Sequence, residues 1–203
     1  MHRPLETTVT LPTVRLALLT LVRKSELIEA TWSEIDFANA VWSIPKSRMK
    51  TGKPHDGYLS QQALDILIAL HTCAAGSKYV MPSRYDADRC MSKATLNRVT
   101  QVIAEKAKES SLPLEPFTVQ DLRPSGSTIL NELGFNGDWI EKCLAPEDGR
   151  SSRGVYNKAE YAEQRHHMLQ EWADMMDAWV ADESHTPTLL PPSMKVVTRA
   201  APV

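Results

Sequence analysis

The chain of 203 residues is 42% hydrophobic and 24% charged, with 8 glycines and 13 prolines, which excludes collagen-like and low-complexity classes and describes one ordinary domain. A chain this long buries roughly two thirds of its unfolded surface, so its 3 cysteines, Cys73, Cys90 and Cys143, which lack metal-ligand spacing, are expected to be free thiols in a reducing compartment. No stretch is apolar for the ~18 residues of a membrane span and no apolar run follows the first charges, so a cytoplasmic protein with no membrane partner, metal or cofactor is expected.

The net charge of −2 is unevenly distributed. Residues 1–131 hold 16 Lys/Arg against 13 Asp/Glu, and residues 132–183 hold 5 against 12. Lys46, Arg48, Lys50 and Lys53 crowd eight positions without an acid, the pattern of a phosphate-facing loop or of a solvated hairpin.

In chain order, Thr13 reads as an N-cap, and apolar residues at helical spacing from Val14 through Leu27 and Ile28 predict one buried helix. Glu34–Phe37 and Val41–Ile44 alternate around the turn Ala38-Asn39-Ala40, and His55–Leu59 follows the turn residues Lys50–Pro54, predicting a small three-stranded antiparallel sheet. Ser60 caps a predicted helix Gln61–Leu70, Tyr79–Pro82 reads as extended, and Ser92 or Lys93 opens a helix to Glu109. Thr118-Val119-Gln120-Asp121 resembles a capping box opening a helix that stops at Gly134; were that helix to begin at Pro124 instead, the box would not form. Asn136 caps a short helix to Leu144, a long helical pattern runs from Tyr156 to Val180, and 181–203 reads as a flexible tail. His166 and His167 are expected on the solvent side of that long helix.

Four residues stand out for chemistry. Arg23 lies in an apolar helix, Lys50 at a hairpin tip, Arg123 near a helix start, and Tyr156 after a breaker-rich loop. Singly, each has a plainer reading, such as an Arg23–Glu26 ion pair or packing of the tyrosine. Jointly, two guanidiniums can grip a phosphodiester, a lysine can protonate a leaving oxygen, and a tyrosine hydroxyl can attack phosphorus, all without a metal.

The sequence resembles the tyrosine recombinases, specifically the integrases of prophages and genomic islands. The resemblance runs from Val14 to Trp179 through Leu18–Leu27, Trp32–Asp36, Trp42–Pro45, Arg48-Met49-Lys50, Asp121-Leu122-Arg123, Leu130–Gly134, Ile140–Leu144, Val155–Tyr161 and Trp172-Ala173-Asp174. It implies an α+β, mainly helical catalytic domain over residues 1–180, with the small sheet, and with the family's arm-binding and core-binding domains lying outside this chain. It also implies double-stranded DNA as partner, a tetramer on DNA, and strand cleavage and rejoining through a 3′-phosphotyrosine. By motif, Arg23 and Arg123 match the phosphate clamp, Lys50 the acid for the leaving 5′-hydroxyl and Tyr156 the nucleophile, preferred over the neighbouring Tyr161 by its Tyr-Asn-Lys context. Lys46, Arg48 and Lys53 would contact DNA.

The chain departs from the family pattern at the chemistry. Gln120 and Pro146 stand where the family has histidines, Leu21 replaces a glycine, and Asp56-Gly57-Tyr58 replaces a basic-Val-Pro run. Pro124 disfavours an α conformation at Arg123. A silenced DNA-binding or interaction remnant is therefore the alternative to an active recombinase.

Overall fold

A computed structural model describes residues 5–50, 52–145 and 159–194, with backbone alone for residues 5–10. Seven α-helices and three short strands occur among them: α1 Leu5–Thr20, α2 Lys24–Ile28, β1 Ile35–Asp36, β2 Val41–Ile44, β3 His55–Tyr58, α3 Gln61–Cys73, α4 Lys93–Glu109, α5 Leu122–Glu132, α6 Gly137–Leu144 and α7 Ala162–Val180. The mainly helical α+β class and the order β1-β2-β3, both pairs antiparallel, match the sequence expectation. No helix of the described residues is long and apolar enough to cross a membrane.

Helix α1 is the hub, packing against α3, α4, α5 and α7. Its Leu16 and Leu19 are fully buried alongside Met168, Leu169 and Trp172 of α7. The one polar atom of the Trp172 ring is satisfied by Leu18 O at 2.9 Å, as a buried indole N–H requires.

The single predicted helix through Ile28 is instead two. Leu21 takes a left-handed conformation with φ 55° and ends α1, and α2 restarts at Lys24, where the Glu26 carboxylate accepts the Arg23 N–H at 2.8 Å. Apolar residues continue on both sides of the break, so periodicity alone passes over it. Thr13, expected as a cap, lies inside α1, fully buried, with its hydroxyl 3.0 Å from Met81 Sδ.

Other caps are as read. Ser60 Oγ accepts from Ala63 N, Ser92 Oγ from Thr95 N, and Asn136 Oδ1 from Asp138 N. The Thr118–Asp121 box forms on a 3-10 turn, with Asp121 accepting from both the Thr118 N–H and its hydroxyl at 2.8 Å, and α5 follows directly. Pro124 is the third residue of α5, where its missing N–H falls among donors that have no intrahelical partner anyway. Its effect on Arg123 is therefore not the exclusion from the helix that the sequence suggested.

Residues 185–194, within the segment read as a flexible tail, lie along α7. His185 and Thr188 both bond the Glu171 carboxylate, at 2.9 and 2.6 Å, and His167 bonds Thr188 O at 2.7 Å. Burial would raise Glu171, but the Thr188 and His185 hydrogen bonds hold it below the usual carboxylate range.

Where α5 passes the Leu21 turn, Gly126 makes the close approach possible: a Cβ there would stand 2.7 Å from Leu21 Cδ2 and 3.5 Å from the Trp172 ring. Both neighbours are buried, so neither can swing into solvent. Gly126→Ala is expected to lower unfolding stability by about 1–3 kcal/mol through overpacking, measured by urea denaturation; an unchanged midpoint would show that Leu21 repacks freely.

Candidate functional site

The two arginines singled out from sequence converge. The Leu21 turn projects its carbonyl toward α5, where it accepts from Arg123 Nε at 2.7 Å, and a second Arg123 nitrogen donates to Leu144 O. The next carbonyl, Ala145 O, accepts from Arg23 Nη2 at 2.6 Å. Consecutive carbonyls at the C-terminal end of α6 thus gather both guanidiniums, at the end of a helix where its dipole favours cations. Arg123 is buried, and the Arg23 side chain is 13% exposed.

The plainer reading of Arg23 also holds, because its Nη1 pairs with Glu26 Oε1 at 2.9 Å. Glu26 therefore receives both the backbone and the side chain of Arg23, fixing the guanidinium in direction. An ion pair this buried is costly to break from one side only.

Arg48, grouped with Lys46, Lys50 and Lys53 in the sequence, is held within the fold. Its Nη2 pairs with Glu34 Oε2 at 2.6 Å and its Nη1 donates to Glu26 O at 3.1 Å, leaving the side chain 14% exposed. Glu34 precedes β1 and also accepts from Trp42 Nε1 at 3.0 Å, so Arg48 fastens the base of the hairpin to the sheet and to α2. The spacing of basic residues gave no sign of this, because the acid lies a strand away in sequence.

Lys46, Lys50 and Lys53 are exposed along that hairpin, where Gly52, at φ 64°, makes the turn. Gln120 is exposed on the 3-10 turn before α5. Tyr156 and Pro146 lie outside the described residues. Tyr161, at φ 51°, caps α7 and is partly buried against the core. His166 and His167 differ from expectation: His166 stacks on Tyr58 with its Nε2 3.1 Å from Leu59 O, and His167 is held by the returning C-terminal segment.

Two residues near the site were passed over in the sequence. His55, on β3, is driven down to about 4 by burial and by the Arg165 charge; Glu26 and Asp56 oppose this and Arg23 adds to it. It is thus a neutral imidazole at pH 7. Arg165, on α7, is 1% exposed. The alternation of β3 and the helical spacing of α7 carry signals of burial, but neither announces a buried basic group.

The sequence matches the Phage integrase family over residues 4–163. It is 38% identical over 161 residues to prophage integrase IntA of Escherichia coli K12, spanning 79% of this chain and 37% of that protein. It is 33% identical over 159 residues to the integrase of Shigella phage Sf6, spanning 78% and 39%. The chain therefore covers about two fifths of the length of these relatives. Among solved structures, the XerH site-specific recombinase bound to its difH substrate aligns at TM-score 0.59 and 12% identity over 88% of this chain and 49% of that one. The Tn1549 transposon integrase in complex with circular intermediate DNA aligns at 0.55 and 15% over 77% and 56%. These likenesses establish the fold.

The His55 shift has a definite sign. Its ordinary value, 6.5, lies above the folded value of about 4, so unfolded chains bind the proton first and acid destabilises the fold. Stability is fully present above pH 6.5 and falls as the pH drops toward 4, by about 3 kcal/mol in total if one pKa unit is worth about 1.4 kcal/mol. His55→Gln should flatten that part of a plot of melting temperature against pH; an unaltered slope would assign the acid sensitivity to other groups.

Proposed function

The chain belongs to the phage integrase family, and on that premise we propose that it is the catalytic domain of a site-specific tyrosine recombinase acting on double-stranded DNA in the cytoplasm. The observation that carries this reading is the convergence of Arg23 and Arg123 on the carbonyls that end α6. Carbonyls hold a fork nitrogen of each guanidinium here, Glu26 holds the other fork nitrogen of Arg23, and planar forks of this kind match the nonbridging oxygens of a phosphodiester. The segment carrying Tyr156 follows within a dozen residues of those carbonyls.

In the proposed reaction the Tyr156 oxygen attacks phosphorus and displaces the 5′ oxygen of the next nucleotide, leaving a 3′-phosphotyrosine and a 5′-hydroxyl. Lys50 gives its proton to the departing oxygen, and the guanidiniums stabilise the charge that builds on the phosphoryl oxygens. Rejoining is the reverse, with a 5′-hydroxyl attacking the phosphotyrosine, so the bond energy is conserved and no nucleotide cofactor is consumed. The phenolic proton, from a group with an ordinary pKa near ~10, has to leave as the bond forms. It passes to water, since Gln120 cannot take it as an imidazole would; the Gln120 amide can donate a hydrogen bond to a phosphoryl oxygen. Lys46 and Lys53 face the duplex, and a tetramer on DNA is the assembly this chemistry uses to exchange four strands.

The test is covalent trapping on duplexes whose scissile phosphate has a sulfur leaving atom, read as a gel shift that survives denaturant. Wild type is expected to form an adduct, Tyr156→Phe to form none, and Gln120→His with Pro146→His to form it faster, by about 10²–10³ for each donor restored. An adduct that persists in Tyr156→Phe removes that residue from the reaction, and no adduct in any of the three, the restored variant included, counts against a strand-transfer role. Separately, Lys46→Ala with Lys53→Ala should weaken duplex binding and lower the slope of log affinity against log salt by about 1–2; an unchanged slope would place the duplex elsewhere.

A further inference from the structure

Arg165 is a full guanidinium at 1% exposure, yet no carboxylate pairs with it among the described residues. Its Nη2 donates to Asp56 O at 2.5 Å, its Nη1 to Glu160 O at 3.3 Å, and its carbon centre lies 4.8 Å from the centroid of the Tyr58 ring. Its charge acts on the buried Cys143 thiol, opposing the upward push of burial, while its Nε is buried without a partner among the described residues. Removing a cation from water without a counter-ion costs several kcal/mol, and a methionine of similar reach would fill the space without that cost. Its carbonyl and aromatic partners do not by themselves say what the charge is for.

Position does. Asp56 and Tyr58 belong to β3, the strand that runs directly out of the hairpin bearing Lys50 and Lys53. Glu160 belongs to the segment between Tyr156 and α7. Arg165 touches both, and its own backbone N–H is fixed by Tyr161 O at 2.8 Å in the first turn of α7. Its shorter bond and its ring contact are to the strand. A side chain with one donor, or with none, could not hold a strand carbonyl and the Glu160 carbonyl at once.

We propose that Arg165 is a positioning residue, whose guanidinium sets strand β3, and with it the Lys50 hairpin, against Glu160 and the first turn of α7. The chemistry it serves rests on the recombinase reading above, but the mechanical part does not. Arg165 need not touch DNA, and the burial of its side chain precludes it. It acts by fixing where Lys50 stands when the 5′ oxygen departs.

The experiment combines amide hydrogen exchange with cleavage, using Arg165→Lys, which keeps the charge and loses the fork, and Arg165→Met. Peptides covering 49–58 should exchange about tenfold faster in both variants, with those from α3 and α4 unchanged, as for a local loss of anchoring. Cleavage of an ordinary phosphodiester should fall about tenfold or more, while cleavage of the sulfur-leaving duplex changes less than about threefold, because sulfur departs without a proton donor. On a Lys50→Ala background, Arg165→Lys should add nothing to the loss on oxygen.

Unchanged exchange at 49–58, or faster exchange throughout the chain, overturns the proposal. So do equal losses on the oxygen and sulfur duplexes, which would mean that Arg165 supports the nucleophile instead. If Arg165→Met fails to fold, Arg165→Lys decides alone. If wild type forms no adduct on either duplex, the recombinase reading fails, and the exchange measurement still decides whether Arg165 anchors the hairpin.

Discussion

A left-handed leucine between two helices determines where everything chemical in this protein stands. Leu21 ends α1 at φ 55°, a conformation that costs a non-glycine residue about 1–2 kcal/mol. Complete burial of its side chain contributes about 1.5–3 kcal/mol in the other direction. The turn is therefore held by packing against Gly126 and α7, where a glycine would rely on backbone freedom alone. In exchange for that local strain, the Leu21 carbonyl meets Arg123, and Arg23 emerges two residues later beside it.

From Arg23 outward the polar contacts form a continuous chain. Ala145 O holds Arg23, Arg23 pairs with Glu26, the carbonyl of Glu26 holds Arg48, Arg48 pairs with Glu34, and Glu34 accepts from Trp42 on β2. The chain ties the end of α6, the start of α2, the hairpin base and the sheet into one polar layer. Buried networks of this kind are costly when half satisfied; here two bonds join Arg23 to Glu26, one bond makes each of the other links, and Arg48 Nε is buried without a partner among the described residues. Arg165 closes the far side, joining β3 to α7. The exposed lysines are therefore mounted on a hairpin fixed at its base by Arg48 and along its return strand by Arg165.

The sequence disclosed the elements that local chemistry decides. Ser60, Ser92 and Asn136 cap helices because a short polar side chain can reach an N–H two or three residues on, and that needs no tertiary information. The strands followed from alternation, and Arg23 and Arg123 from motif. What it concealed depended on contacts distant in the chain. The break at Leu21 sits inside unbroken helical periodicity, and only the Arg123 bond and the Gly126 contact explain it. Arg48 looked like its lysine neighbours until Glu34 lay beside it. The strap at residues 185–194 reads as a proline-rich tail, since Glu171, which holds it, belongs to a helix already accounted for by its apolar face.

Arg23, Arg48 and Arg123 differ in what they are bonded to. A carboxylate orients a guanidinium and cancels its charge; a carbonyl orients it and leaves the charge in place. Arg48 faces Glu34 and is spent on the fold. The carbonyls of Leu21 and Leu144 aim Arg123, and Ala145 O aims one fork nitrogen of Arg23 while Glu26 pairs with the other. Glu26 binds Arg23 from the α2 side, where it fixes direction. His55, kept neutral by burial and by Arg165, adds no competing charge of its own. Arg165 follows the same rule at greater depth: carbonyl acceptors and an aromatic face hold it, and its charge raises the local potential beneath the hairpin. On the proposed reading, a phosphodiester would meet guanidiniums already aimed by these bonds.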